Sequence, residues 1–242
     1  MQGPKALRGG LHSRGPLVIT IDGPAGVGKS TTAQRLARLL GLSYLDTGAT
    51  YRVLAYAALQ RGLHPLADAA AIARLARRLP MALRPTTSGG LRVRLGREDV
   101  TTAIRREEVS EAAAQISQHP AVRAALVKRQ RELARARGVV VEGRDTGSVV
   151  FPRATCKFFL DARPTVRARR RQLELGQLYG RRPPLAQVRE QLHFRDNLDR
   201  TRRVGPLVKP AGSVVINTSD LSADQVVRTM LHRVRRMLLG LH

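Results

Sequence analysis

Gly23-Pro24-Ala25-Gly26-Val27-Gly28-Lys29-Ser30 is the stretch on which the reading of this chain turns. It matches the pattern G-x-x-x-x-G-K-[ST], and its flanks suit that pattern. The β-branched run Leu17–Ile21 predicts a buried strand before it, and the apolar periodicity of Lys29–Leu40 predicts an amphipathic helix after it, stopped by Gly41. Glycines let the backbone turn inward so that its N–H groups face phosphate oxygens, with the positive end of the helix dipole behind them. In such a loop Lys29 reaches the β- and γ-phosphates and the Ser30 hydroxyl ligates Mg²⁺. Gly23 to Ser30, with Thr31 next in line, therefore read as a nucleoside triphosphate site.

Moving outward, the same alternation returns. Ser43–Leu45, Val139–Val141, Cys156–Leu160 and Val214–Ile216 read as short strands. Helical patterns lie between and after them, beginning near Ala49–Leu59 and ending with Ser222–Leu239, where Ser222 is placed as an N-cap. Strands alternating with helices imply a parallel sheet covered on both faces. The middle breaks this rhythm. Met81–Leu83, Leu91–Leu95 and Asp99–Val100, with Ser88-Gly89-Gly90 as a turn, predict a small antiparallel sheet inserted into the α/β core. Helices near Glu107–Ser117 and Ala121–Arg137 follow, split at Pro120.

A triphosphate loop does not identify the group that receives the phosphate, since ATPases, GTPases and small-molecule kinases share it. Three charged clusters suit an anionic acceptor. Asp46-Thr47-Gly48-Ala49-Thr50-Tyr51-Arg52 and Glu142-Gly143-Arg144-Asp145 each follow a strand, where ligands bind in parallel sheets. On a helix, Arg195, Asp199 and Arg202 fall within roughly 60° of one another. A surface salt bridge is the plainer reading of that third cluster taken alone.

Composition sets the outer bounds. The chain has 242 residues, 43% hydrophobic and 25% charged, which reads as a soluble globular protein, and no apolar run approaches a membrane span. Its net charge of +25 favours polyanionic partners, but only five of the 43 basic residues are lysines, so a genomic bias toward arginine is an equal explanation. The single cysteine, Cys156, excludes an intrachain disulfide and fits a reducing cytosol; it lies in an apolar run and reads as a buried structural thiol. The histidines are scattered, without metal-ligand spacing. Residues 1–15 are basic and glycine-rich and read as a disordered leader.

Taken together, Ile19–Ser30, Asp46–Arg52, Glu142–Pro152 and the Arg195-x-x-x-Asp199-x-x-Arg202 segment resemble the motif series of bacterial cytidylate kinases, in that family's order and spacing. The resemblance runs from about residue 16 to the C-terminus. It implies an α/β P-loop kinase domain over 16–242, with a central parallel sheet flanked by helices. A small antiparallel CMP-binding insert is implied at about 64–105 and a short lid at about 165–185. It implies transfer of the γ-phosphate of ATP to CMP or dCMP with Mg²⁺, in a cytoplasmic monomer without membrane or specific nucleic-acid partners. Matched residue by residue, it puts Arg52, Arg144 and Arg202 around the CMP phosphate, which planar guanidinium forks suit. Thr47, Arg123 and Asp145 are matched to the cytosine, and Arg195 and Asp199 to the sugar. Arg167, Arg170 and Arg171 resemble catalytic lid arginines, Leu175–Leu185 the lid's irregular part, and Glu142 a carboxylate that could hold Mg²⁺ through water. Ala114 departs from the family's frequent Ser at that place, with Ser117 nearby. The alternatives are another small P-loop kinase, or a basic nucleic-acid-binding ATPase. The scarcity of aromatic residues, 3%, disfavours the latter.

Overall fold

Strand β1 (Val18–Asp22), which feeds the glycine loop, lies at the centre of a five-stranded parallel sheet of order β2-β6-β1-β7-β8. The structure, a computed structural model, describes residues 16–86, 90–134 and 138–239. The leader 1–15, Ser88 and Gly89 of the predicted turn, and the predicted helix end at Arg137 lie outside the described residues.

The partners of β1 are β2 (Ser43–Asp46), β6 (Val139–Gly143), β7 (Cys156–Asp161) and β8 (Val214–Asn217). In register, Ile19 stands opposite Val140 on one side and Cys156 on the other. All five residues of β6 are buried, as a strand covered on both faces requires. Ile19, Ile21, Val140, Phe158 and Leu160 have no exposed surface and form the centre of the core. Cys156 is buried among them. Its thiol faces Met237 Sδ at 3.2 Å, and burial pushes its pKa up to about 11, which makes it an inert packing residue.

The first helix, α1 (Lys29–Leu40), starts at Gly28 and ends at Gly41, both left-handed, with the Gly41 N–H closing the last turn. α2 (Thr47–Leu59) starts directly from β2, capped by the Asp46 carboxylate, which accepts from Ala49 N at 2.9 Å. A helix not read from the sequence, α3 (Ala69–Arg78), follows, burying Ile72, Ala73 and Ala76. The inserted sheet is present: β3 (Met81–Pro85), β4 (Leu91–Leu95) and β5 (Glu98–Asp99) pair antiparallel. Along β4, Leu91 and Val93 point inward while Arg92 and Arg94 are exposed. Met81, Leu91 and Val93 join the main core, so the insert is packed onto the domain rather than hinged beside it.

The remaining helices are α4 (Glu107–Ile116), α5 (Pro120–Leu133), α6 (Pro164–Tyr179), α7 (Leu185–Thr201) and α8 (Ala223–Leu238). Ser222 caps α8 through a reciprocal box with Gln225. Two expectations are corrected. Leu175–Tyr179 is not irregular but the last part of α6, and Gly176 is tolerated there because the Arg182 side chain lies across it, where a Cβ would meet Cγ at 2.8 Å. Arg202 is not helical but one residue past α7, in extended backbone (ψ 139°).

Candidate active site

The glycine loop, the ends of β2 and β6, and α4, α6 and α7 enclose a cavity of about 900 Å³. Gly23 makes the first turn at φ 147°, so close under β7 that a Cβ would run into the Leu160 carbonyl oxygen. Gly26 (φ 78°) and Gly28 (φ 92°) complete the inward loop. Residues 25–32 line the cavity, while Gly23 and Pro24 are buried behind it. Lys29 is also buried, with Nζ donating to the Pro24 carbonyl at 2.6 Å. Burial, reinforced by Arg144 and Arg195, lowers its pKa to about 7, against the pull of Glu142 and Asp199.

The same cavity is lined by a set of arginines interleaved with carboxylates. Arg52 on α2 donates to Asp46 at 2.7 Å, and Arg144, just past β6, donates to Asp199 on α7 at 2.7 Å. Arg202 pairs with Asp199 at 3.3 Å and Asp145 at 3.2 Å. Arg123 on α5 pairs with Asp145 and lies over the Tyr51 ring at 5.7 Å. Asp199 shows how strong this field is. Burial raises its pKa, yet Arg144, Arg195 and Arg202 hold it below the usual carboxylate value. Asp145, closer to the balance point, is raised by burial despite Arg123 and Arg202.

Arg195 is different. It lines the cavity with no hydrogen bond or ion pair among the described residues, and burial followed by Arg144 lowers its pKa to about 10. Among the residues lining the cavity, buried donors on Arg52 (Nε) and Arg202 (Nη2) also lack hydrogen-bond partners. Unmatched cationic donors around one space are costly unless an anion fills it. The arrangement suits an anionic ligand.

The structure brings Thr47, Arg52, Arg144, Asp145, Arg195, Asp199 and Arg202 together on this cavity, as the sequence clusters imply, and Lys29, Ser30, Thr31 and Glu142 line it with them. Arg170 and Arg171 reach it from α6, Arg170 bonded to Thr218 and Arg171 paired with Glu174 at 2.9 Å. Two residues are placed elsewhere. Arg123 does not line the cavity but stands behind Asp145. Arg167, expected on the lid, is buried in an ion pair with Asp196 and donates to the Ala25 carbonyl at 3.2 Å, so it braces the loop from beneath.

With this geometry in hand, the family model for cytidylate kinase matches residues 19–236. The chain belongs to the cytidylate kinase family. It is 44% identical over 219 residues to the cytidylate kinase of Pelotomaculum thermopropionicum, covering 89% of this chain and 95% of that one. It is 46% identical over 220 residues to that of Symbiobacterium thermophilum, covering 91% and 96%. With the cytidylate kinase of Mycobacterium avium the identity is 45% over 224 residues, covering 91% and 96%.

In this cytidylate kinase three residues missed in the sequence organise the site. Asp22, at the end of β1, accepts from Thr146 N (2.7 Å), Thr146 Oγ1 (2.8 Å) and Gly147 N (2.7 Å), which fastens the turn after Asp145 to the strand before the glycine loop. That turn, Thr146–Val150, is a π turn. Asp196 holds Arg167, and Tyr44 donates to Glu142 Oε1 at 2.6 Å. A charged residue closing an apolar strand was the available signal for Asp22. Nothing local marks the other two. Among the described residues no helix is long and apolar enough to cross a membrane, and no three His, Cys, Asp or Glu residues gather as a metal cluster.

Proposed function

We propose that the enzyme transfers the γ-phosphate of ATP directly to the phosphate of CMP or dCMP within this single cavity, giving ADP with CDP or dCDP. The observation that carries the reading is the continuity of the space between the glycine loop and the arginine set of Arg52, Arg144, Arg195 and Arg202. A phosphate oxygen of CMP attacks the γ-phosphorus, the bond to the β–γ bridging oxygen breaks, and that oxygen leaves with ADP. The attacking oxygen is already ionised at neutral pH, so no general base is needed, and among the described residues no histidine lines the cavity. The residues act by positioning and by neutralising charge.

In this reading Lys29 exchanges the Pro24 carbonyl for β- and γ-phosphate oxygens, with the N–H groups of the loop around the same phosphates. Arg170 and Arg171 neutralise charge from the α6 side. Arg52, Arg144 and Arg202 hold the CMP phosphate, Arg195 and Asp199 the sugar, and Thr47 and Asp145, backed by Arg123, the base. The residues present also fit Mg²⁺. The Ser30 hydroxyl and the Glu142 carboxylate line the same cavity, and this oxygen-only pair, without a protein cage among the described residues, suits an ion that keeps phosphate oxygens and water as its other ligands. When bound, Mg²⁺ would offset the charge of the phosphate oxygens.

ADP release measured with each nucleoside monophosphate in turn tests the reading. CMP and dCMP should stimulate it strongly; stimulation by RNA or DNA instead would favour a nucleic-acid-dependent ATPase.

A further inference from the structure

Asp22 immediately precedes Gly23, the first residue of the glycine loop, yet its side chain serves a different part of the chain. The residue is fully buried and does not line the cavity. All three of its hydrogen bonds come from the turn after Asp145. Oδ1 accepts from Thr146 N and Thr146 Oγ1, and Oδ2 accepts from Gly147 N. Because every partner donates, an ionised carboxylate is the group that suits the position.

The backbone of Asp22 is committed just as firmly. In the β1–β6 ladder Asp22 stands opposite Gly143, the last residue of β6. Asp22 therefore meets the residue before Arg144 through its main chain and the residues after Asp145 through its carboxylate. Those two charged residues are bracketed. They are the ones that pair with Asp199, Arg123 and Arg202.

The turn itself is built to be held in this way. A Cβ on Gly147 would stand 2.7 Å from Thr20 Oγ1 and 3.1 Å from Pro210 Cγ, so bare backbone is what lets it come this close. Within the turn, Val149 N donates back to the Asp145 carbonyl at 2.9 Å. At its far end Arg131 of α5 donates to the Val149 and Val150 carbonyls at 2.9 and 2.8 Å. With both ends fastened, the stretch has little freedom to redirect Arg144 and Asp145 once formed.

We propose that Asp22, although it adjoins the glycine loop in sequence, is a positioning residue for the acceptor, fixing the direction in which Arg144 and Asp145 meet it. This rests on the assignment of CMP as acceptor. In Asp22→Asn one oxygen becomes an amino group, which sets a donor against an N–H of the turn whichever way the amide is turned. The turn shifts, and the defect falls on CMP. A residue that merely supported the fold would lower the melting temperature and leave the KM of both nucleotides alone.

The test measures KM for CMP and for ATP, each at saturating partner, in the parent enzyme, Asp22→Asn, Thr146→Val and Thr146→Ser. Asp22→Asn should raise the KM for CMP by roughly 10- to 100-fold and change that for ATP by less than about threefold. Thr146→Val removes one of the three bonds and carries the test even if Asp22→Asn does not fold; it should raise the KM for CMP by roughly 3- to 10-fold. Thr146→Ser, which keeps the hydroxyl, should stay near the parent. Combined with Arg144→Ala, Thr146→Val should add clearly less than it does alone, since it acts through that arginine. An equal rise in both KM values, a lowered melting temperature with both KM values unchanged, or full additivity with Arg144→Ala would overturn the inference while the function stands. If the parent does not phosphorylate CMP at all, both fail.

Discussion

Arg167 and Asp196 grip the backbone of Ala25 from both ends. The Arg167 guanidinium donates to the Ala25 carbonyl at 3.2 Å, Asp196 Oδ1 accepts from Ala25 N at 3.4 Å, and the two side chains form a buried ion pair with each other. One partner comes from α6 and the other from α7, so the tip of the glycine loop is held by the helical pair that also carries Arg170, Arg171 and Arg195. The geometry of the ATP loop therefore depends on a contact that touches no substrate. Removing one partner leaves an uncompensated buried charge. Arg167→Ala should destabilise the fold by about 3–5 kcal/mol. It should also raise the KM for ATP by roughly 10- to 100-fold through loss of loop positioning. Thermal melting and steady-state kinetics read both. An unchanged melting temperature with a large fall in kcat alone would return Arg167 to the lid.

Arg202 should behave in the opposite way toward the two substrates. It sits past the end of α7, buried, paired with Asp145 and Asp199 and donating to the Gly205 carbonyl, and it lines the cavity beside Arg144. Arg202→Ala should raise the KM for CMP by roughly 10- to 100-fold, the range for a lost hydrogen-bonded charge, and leave ATP affinity nearly intact. Equal loss toward both nucleotides, measured by titration of each alone, would displace Arg202 from the acceptor side.

Acid should loosen the fold through Asp199. Arg144, Arg195 and Arg202 hold its pKa below the usual value although burial opposes them. An acid depressed in the folded state adds stability that is full above its unfolded pKa and lost as pH falls through the lower folded value. Melting temperature should therefore drop below about pH 4 in the parent. In Asp199→Asn the acid-side drop should be smaller, from a lower starting stability at neutral pH. Parallel curves for the two proteins would contradict the assignment.

Gly23→Ala tests the loop directly. At φ 147° and against the Leu160 carbonyl, even one methyl group has no room. Backbone strain of about 1–3 kcal/mol, and overpacking of similar size, should appear together with loss of ATP binding. Gly41, at φ 65° with nothing near its Cβ position, offers the contrast: Gly41→Ala should cost stability only, with ATP affinity unchanged. Calorimetric ATP titration separates the two.

Most of this architecture is local in origin, which is why the sequence discloses it. The glycine loop, α1 with its Gly41 stop and the Ser222 cap of α8 each depend on residues within a few positions of one another. The buried strands declare themselves as continuous apolar runs. α3 is silent because two of its three buried residues are alanines, too small to mark a face. The turn at Thr146–Val150 follows no residue pattern, being held by Asp22 far away in sequence. At the site, Arg52, Glu142 and Arg144 were legible as charges that follow apolar runs, although Glu142 proves to be buried as the fourth residue of β6, bonded to Tyr44. The direction of Arg167 was not, since neighbouring arginines on one helix look alike until a partner such as Asp196 is known. Arg123 likewise acquires its place only from Asp145 and Tyr51, which fold brings to it.

Direct passage of the phosphoryl group between two nucleotides in one cavity is the central claim. It is tested most directly with ATP made chiral at the γ-phosphorus by oxygen isotopes. The transferred group should appear as the β-phosphate of CDP with inverted configuration, as a single in-line displacement requires. Retained configuration would demand an intermediate on the protein and would contradict the account, as would failure of the labelled group to reach CDP.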